Sequence, residues 1–171
     1  MSKREVLKGS RAFALFETPL GRMRVEEDAR GIASLSFADG VQIPNGAQPA
    51  GRYLADAVAQ LSEYFAGKRR AFDLPLSVSG TDFQRRVWST LMDIPYGETR
   101  SYQEIAEAIG NPKATRAVGM ANNRNPICIL IPCHRVVGKS GQLVGYAGGL
   151  DRKRRLLELE SERWPMLDET R

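Results

Sequence analysis

The feature that most constrains this chain is a change of hydrophobic period near "DLPLSVSG" (Asp73 to Gly80). Upstream, "AFALFE" (Ala12 to Glu17), "GRMRVEE" (Gly21 to Glu27) and "GIASLSF" (Gly31 to Phe37) are short, partly alternating runs. They are separated by "TPLG" and "DARG", whose turn residues predict a three-stranded meander. The polar loop Val41 to Gly51 leads into "YLADAVAQLSEYFAG", where Leu54, Val58, Leu61 and Phe65 recur at helical spacing and Gly67 ends the run. Downstream the texture is helical. Thr81 with Gln84 has the form of a capping box, and Phe83, Val87, Trp88 and Leu91 make an apolar stripe that stops at "IPYGET". Two periods on either side of one break predict a mixed α/β (α+β) protein: an N-terminal α/β domain over 1–78 and a mainly helical C-terminal domain over 79–171. Nothing in the first domain suggests chemistry.

The 171 residues hold only two cysteines, Cys128 and Cys133, and one histidine, His134. That rules out a disulfide framework of the secreted kind and fits a reduced, cytoplasmic setting. Structural zinc needs about four ligands, so no metal is expected. Neither the N-terminus "MSKREVLKGSRAF" nor any later stretch has the apolar length of a signal sequence or a membrane span. Twenty-five Lys and Arg against twenty Asp and Glu give a formal charge of +5, which suits a polyanionic partner as well as it suits a solvated basic surface.

"SYQEIAEAIG" carries a second capping box, Ser101 with Glu104, and sets Tyr102, Ile105, Ala106 and Ile109 on one face. Gly110 closes that helix, after which Asn111 is placed to cap a second helix with Pro112 at its first position. Two helices joined so tightly have the spacing of a helix-turn-helix. On the second, Ala114, Ala117, Val118 and Ala121 share a face, and Thr115, Arg116, Gly119 and Met120 point outward. A helix that enters a nucleic-acid groove needs such a low profile with one long side chain free to reach in. Any short helical hairpin shares this pattern, with Arg116 solvated and Tyr102 a core aromatic.

Beyond it, "IPCHRVVG" sets Cys133 beside His134. Free cysteine commonly behaves as a small buried hydrophobe, and in a regular strand adjacent side chains point to opposite faces. An armed thiol here requires an irregular backbone or a bridging water. In the terminal helix "DRKRRLLELE", Glu160 falls between Leu156 and Leu157 on the apolar side, whereas Glu158 points away. A carboxylate on a buried face needs a partner. His134 would complete a base-and-orienter relay to the thiol, and a nearby Arg or Lys is the alternative. Between them, "VGYAGGL" (Val144 to Leu150) supplies glycines for close backbone approach and Tyr146 as a planar wall, or simply a tight turn.

Taken together, "SYQEIAEAIGNPKATRAVGMANNRNPICILIPCHRVVG" and "GYAGGL" closely resemble the O6-alkylguanine-DNA alkyltransferases, also called methylated-DNA–protein-cysteine methyltransferases. The resemblance is dense from Thr81 to Glu160, most specific at "PCHRVVG", and loose in the N-terminal region, where "TPLG" and "LSEYFAG" carry it. It implies an RNase H-like N-terminal domain and a C-terminal domain with a helix-turn-helix. The implied activity is irreversible transfer of an alkyl group from O6-alkylguanine, flipped out of double-stranded DNA, to the protein's own cysteine. O4-alkylthymine is a further possible substrate. No cofactor is implied, and the expected state is a monomer without membrane attachment. The resemblance makes Cys133 the acceptor, His134 its base through a water, Glu160 the acid that orients His134, Tyr102 the residue that assists the leaving guanine, and Asn125 the hinge asparagine. Val136, Tyr146 and Gly148 fall where the family holds the flipped base. Arg116 matches the finger that fills the emptied stack, with Thr115, Ala117, Gly119 and Met120 along the same DNA-facing helix. The tryptophan often found before "LL" of the last helix is Arg155 here, and Cys128 lies outside the motif and reads as structural. A lesion sensor without catalysis and a Cys-His hydrolase are the other two classes to separate.

Overall fold

A computed structural model describes residues 11–42 and 51–161. The charged N-terminus and most of the Val41 to Gly51 loop lie outside these residues. The meander forms as expected: β1 (Ala12–Thr18), β2 (Gly21–Asp28) and β3 (Gly31–Phe37) make an antiparallel sheet in chain order. Met23 and Val25 in β2 pair with Phe16 and Ala14 on one side and with Phe37 and Leu35 on the other. Helix α1 (Leu54–Phe65) covers this sheet with Leu54, Ala57, Leu61, Tyr64 and Phe65 buried. Each fully buried Leu of this kind contributes about 1.5–3 kcal/mol.

The free edge of β3 ties the two halves together. Ile32 donates its N–H to Pro75 O (2.8 Å) and accepts from Ser77 N (2.7 Å). Gly31 makes this approach possible, because a Cβ there would stand 2.2 Å from the Pro75 carbonyl oxygen. Further along, Leu35 donates its N–H to Pro126 O (3.0 Å) and its carbonyl accepts from Cys128 N (3.1 Å), so the small sheet grips the segment that leads to Cys133. A single apolar cluster runs from Ala14 through Trp88 to Leu159.

In the helical half, α2 (Asp82–Met92) and α3 (Tyr102–Ala108) both start in complete capping boxes, Thr81 with Gln84 and Ser101 with Glu104. Trp88 of α2 donates its indole N–H to the Ala121 carbonyl of α4 (Thr115–Asn123) at 2.8 Å. Two-residue strands β4 (Arg100–Ser101) and β5 (Val136–Val137) pair in parallel, and α5 (Leu150–Glu160) closes the chain's described part. Among the described residues no helix is long and apolar enough to cross a membrane.

The turn between α3 and α4 departs from the sequence reading. Gly110 does end α3, with φ +76°, as Gly110 N bonds Glu107 O and Asn111 N bonds Ala106 O. Asn111, Pro112 and Lys113 then stay outside a helix, Ala114 N bonding back to Asn111 O (3.0 Å), and α4 begins only at Thr115. The packed face also differs from the wheel reading: Val118, Ala121 and Asn122 are buried, and Ala117 is exposed instead of packed.

Candidate active site

Cys133 sits in a 3-10 turn, Cys133–Arg135, and not in a strand. At three residues per turn, consecutive side chains diverge by about 120°, so the thiol and the imidazole leave the backbone in different directions. The preceding segment is held firmly. Asn125 donates its side-chain N–H to Ile131 O (2.7 Å) and accepts from Ile127 N (3.0 Å). Asn122 donates to the Cys133 carbonyl at 3.3 Å. Ile129 is buried at φ +69°, a left-handed conformation that costs a β-branched residue of order 1–3 kcal/mol and persists only where surroundings enforce it.

Behind the turn, Glu160 meets both of the partners that the sequence left open. Its Oε2 lies 2.6 Å from His134 Nε2, and Arg135 donates from Nε to Oε1 (2.7 Å) and from Nη2 to Oε2 (3.1 Å). Arg135 also donates to Ile94 O at 2.7 Å. Burial pushes the Glu160 carboxyl up, but the facing His134 and Arg135 outweigh it and hold the group far below the usual carboxylate range. An ionised carboxylate only accepts, so Nε2 of His134 carries a proton toward it, and Nδ1 has no hydrogen-bond partner among the described residues.

Glu158 is half-exposed. Helical spacing therefore picked the right carboxylate, but it missed two residues. Lys153, at the same face of α5 as Leu156 and Glu160, is wholly buried and donates from Nζ to Gly145 O (3.1 Å), Val144 O (3.3 Å) and Tyr102 Oη (3.4 Å). Its i, i+3, i+7 relation to Leu156 and Glu160 was available as a signal. Tyr64 of α1 donates its hydroxyl to Glu160 Oε2 at 2.6 Å, which corrects the expectation that the N-terminal region holds nothing chemical. No local pattern marks it.

On its other side the turn faces a cavity of about 170 Å³, lined by Cys133, Cys128, Asn125, Tyr146, Gly148 and Arg152 among others. Sites for drug-sized ligands span roughly 300–1,000 Å³, so this one suits a single flat group. Burial raises the Cys133 thiol to about 11, opposed by the Asn125 amide, the Lys153 charge and nearby backbone N–H groups. Burial also brings Lys153 down to about 8, against the pull of the thiolate. Gly148 is a close-approach position, since a Cβ would lie 2.8 Å from the Tyr146 ring and 3.0 Å from Phe37. Arg152, also on the lining, is bonded to Leu20 O (3.0 Å) and Asp39 and stacked over Phe37 at 4.1 Å.

Four expected residues lie off this cavity. His134 and Glu160 stand behind the turn, Val136 is core in β5, and Tyr102, half-buried at the start of α3, donates its hydroxyl to Val144 O. Cys128, read from the sequence as structural, lines the cavity beside Cys133, and burial drives its ionisation far up. On α4, Arg116, Ala117 and Met120 are exposed, but Thr115 gives its hydroxyl to Gln103 Oε1 (2.7 Å). Gly119 turns toward Tyr102, whose ring carbons would meet an added Cβ at 3.9 Å, and is not fully outward.

Fold and site together define an α/β protein with a buried Cys-His-Glu constellation beside a helix-turn-helix. Residues 82–162 match the family model described as 6-O-methylguanine DNA methyltransferase, DNA binding domain, and residues 12–78 match its ribonuclease-like domain. The chain is 50% identical over 151 residues to the methylated-DNA–protein-cysteine methyltransferase of Methanosarcina acetivorans, covering 86% of this chain and 97% of that one. It is 51% identical over 146 residues to that of Mycobacterium leprae, covering 84% and 88%. The crystal structure of Mycobacterium tuberculosis OGT in complex with DNA superposes with a TM-score of 0.80 at 48% identity, covering 88% of this chain and 93% of that one. The chain belongs to the 6-O-methylguanine DNA methyltransferase family.

Proposed function

We propose that this protein repairs double-stranded DNA directly, by moving the alkyl group of an O6-alkylguanine onto Cys133. The observation that carries this reading is the Cys133 thiol, set between a cavity sized for one flat group and a histidine locked to a buried carboxylate. The thiolate is the nucleophile, and burial raises Cys133 to about 11, so a base is needed near neutral pH. His134, with Nδ1 free to accept, takes the thiol proton through a water, and Glu160 holds the ring in that tautomer. Sulfur then bonds to the alkyl carbon as the C–O6 bond breaks. The electron pair stays on guanine, which leaves as the unmodified base once it gains a proton. Net, one proton passes from sulfur to guanine and one thioether remains. A thioether has no leaving group that water displaces under mild conditions, so each molecule acts once.

The substitution at an sp³ carbon develops charge on the departing guanine, and this is where a hydrogen-bond donor helps. Tyr102 is suited to the task if its hydroxyl exchanges Val144 O for the base, with Lys153 standing behind it. Tyr146, Gly148 and Asn125 border the space for the flipped base, and Val136 supports the turn from β5. Arg116, with Ala117 and Met120 beside it and Thr115 and Gly119 at its base, faces the duplex and fills the stack. Unpairing a base costs a few kcal/mol, least for a damaged one, which favours lesions.

A division near residue 78 into a scaffold and a DNA-binding domain follows the sequence reading. Action as a monomer without membrane attachment follows the sequence reading. Two free thiols support a reduced, cytoplasmic setting. The reading is tested by incubating the protein with duplex DNA carrying O6-methylguanine and mapping peptides. A methyl group on Cys133 is expected, and an unmodified Cys133 after the lesion is bound would favour a sensor.

A further inference from the structure

Tyr64 is a buried ionisable group next to the relay that the reaction above does not use. It lies on α1, in the N-terminal half, 96 residues from the carboxylate it touches. Its ring is wedged against Phe65, Phe72 and Tyr96 at centroid distances of 5.3, 5.5 and 6.3 Å, and the residue is wholly buried. The hydroxyl is therefore delivered by packing that does not depend on the hydrogen bond it makes.

The acceptor is crowded. Glu160 Oε2 receives Tyr64 Oη (2.6 Å), His134 Nε2 (2.6 Å) and Arg135 Nη2 (3.1 Å), while Oε1 receives Arg135 Nε (2.7 Å) and Gly97 N (3.3 Å). A carboxylate offers about four lone-pair sites, so these donors compete for the same charge. Arg135 and Gly97 already fix the position of the carboxylate without help from Tyr64. What the tyrosine changes is how much negative charge His134 meets, because each hydrogen bond to an anion stabilises it and makes it a weaker acceptor for the next.

We propose that the Tyr64 hydroxyl, carried by α1 onto the oxygen that holds His134, is a positioning residue that limits how strong a base the relay becomes. The role rests on the alkyl-transfer reading, but the coupling between Tyr64 and His134 can be measured without it. The other charged or titratable groups around the pair include Arg135 from the turn, Tyr96 from the loop before β4, whose hydroxyl bonds Leu159 O, Tyr146 from the loop before α5, whose ionisation Tyr64 opposes, and Cys133 with Lys153 on the thiol side. Arg70 stacks on the outer face of Tyr96, 5.1 Å from its centroid. None of them is removed by a change at position 64.

The test uses the fact that His134 is the chain's only histidine, so its ring signals in an ¹⁵N NMR titration need no assignment. Tyr64→Phe keeps the ring and deletes the donor. Its imidazole should titrate at a pH higher than in the wild type by about half a unit or more. The acid limb of the rate with free O6-benzylguanine should move up by the same amount. Replacing Tyr64 by 3,5-difluorotyrosine makes a stronger donor and should move both the opposite way, which keeps the idea testable if Tyr64→Phe folds poorly. A purely structural role would lower the rate at every pH and leave the titration where it was. An unchanged or lowered midpoint in folded Tyr64→Phe, a midpoint that does not fall in the fluorinated protein, or an acid limb that stays while the imidazole moves overturns the proposal. If the imidazole shifts as expected but the wild type never acquires an alkyl group, the alkyl-transfer reading fails and the coupling stands.

Discussion

Helices α4 and α5 are of similar length and are built to opposite specifications. Along α5, Lys153, Leu156, Leu159 and Glu160 are buried, and both charged residues are surrounded by partners. On α4, Val118, Ala121 and Asn122 are buried, while Arg116, Ala117 and Met120 face outward. Charges that satisfy one another in the interior serve stability and chemistry at once. A side chain that waits on the surface for a ligand serves only the ligand. Substitutions of the buried charges of α5 and of the exposed side chains of α4 should therefore separate, the former harming fold and rate together and the latter harming rate alone.

The largest effect is expected at Glu160. Glu160→Gln leaves Arg135 and His134 without their anion, and breaking a buried pair costs about 3–5 kcal/mol. Loss of the orienting anion should slow alkylation about a hundredfold or more, while Glu158→Gln changes little. Thermal unfolding and single-turnover rates on both variants check this. The pH sign follows from the same group. Because the folded carboxyl is held low, its contribution is complete above the ordinary value of about 4.3 and is lost as pH falls below it. Wild-type stability should fall in that acidic range, and the Glu160→Gln curve should be flatter there.

Lys153→Met comes next. It removes the buried charge that opposes the rise of the Cys133 thiol, so reaction with a thiol-selective alkylating reagent at neutral pH should slow about tenfold, equivalent to one unit of thiol ionisation. Equal reactivity would mean that Lys153 only braces the Val144–Gly145 loop.

For Arg116→Ala the comparison predicts a split. Stability should stay within about 0.5 kcal/mol, as for other exposed positions. Repair of duplex DNA should slow much more than reaction with free O6-benzylguanine, which requires no base flipping. A proportionate loss on the free base would place Arg116 in the pocket or the fold. The smallest effect is expected at Cys128→Ser: the site keeps its shape, the acceptor is untouched, and the alkyl group should still map to Cys133.

The same contrast explains what could be read in advance. The capping boxes at Thr81 and Ser101 were legible because each is closed within three residues. Glu160 was legible because a carboxylate on an apolar stripe is costly, and the wheel shows it without knowledge of its partner. The start of α4 was not. Asn111 and Pro112 suit a helix start, but here they extend the turn after Gly110, and α4 begins only at Thr115. Asn122 was hidden for a related reason: it is buried to hold the Cys133 carbonyl, a contact made 11 residues away. Tyr64 lies furthest from any local signal, since its place beside Glu160 exists only once the small sheet and the helical half have packed. Sequence periodicity reports which face is buried, and it is silent about which buried polar groups will meet.

The central claim is that Cys133 is an acceptor consumed by its own reaction, and stoichiometry tests it most directly. Protein is mixed with a tenfold excess of duplex DNA carrying O6-methylguanine, and repaired guanine and intact protein mass are followed to completion. The account predicts one guanine restored per protein, one methyl group gained, and no transfer in Cys133→Ala despite retained DNA binding. Repair that continues past one equivalent, or a completed reaction that leaves the protein's mass unchanged, would contradict it.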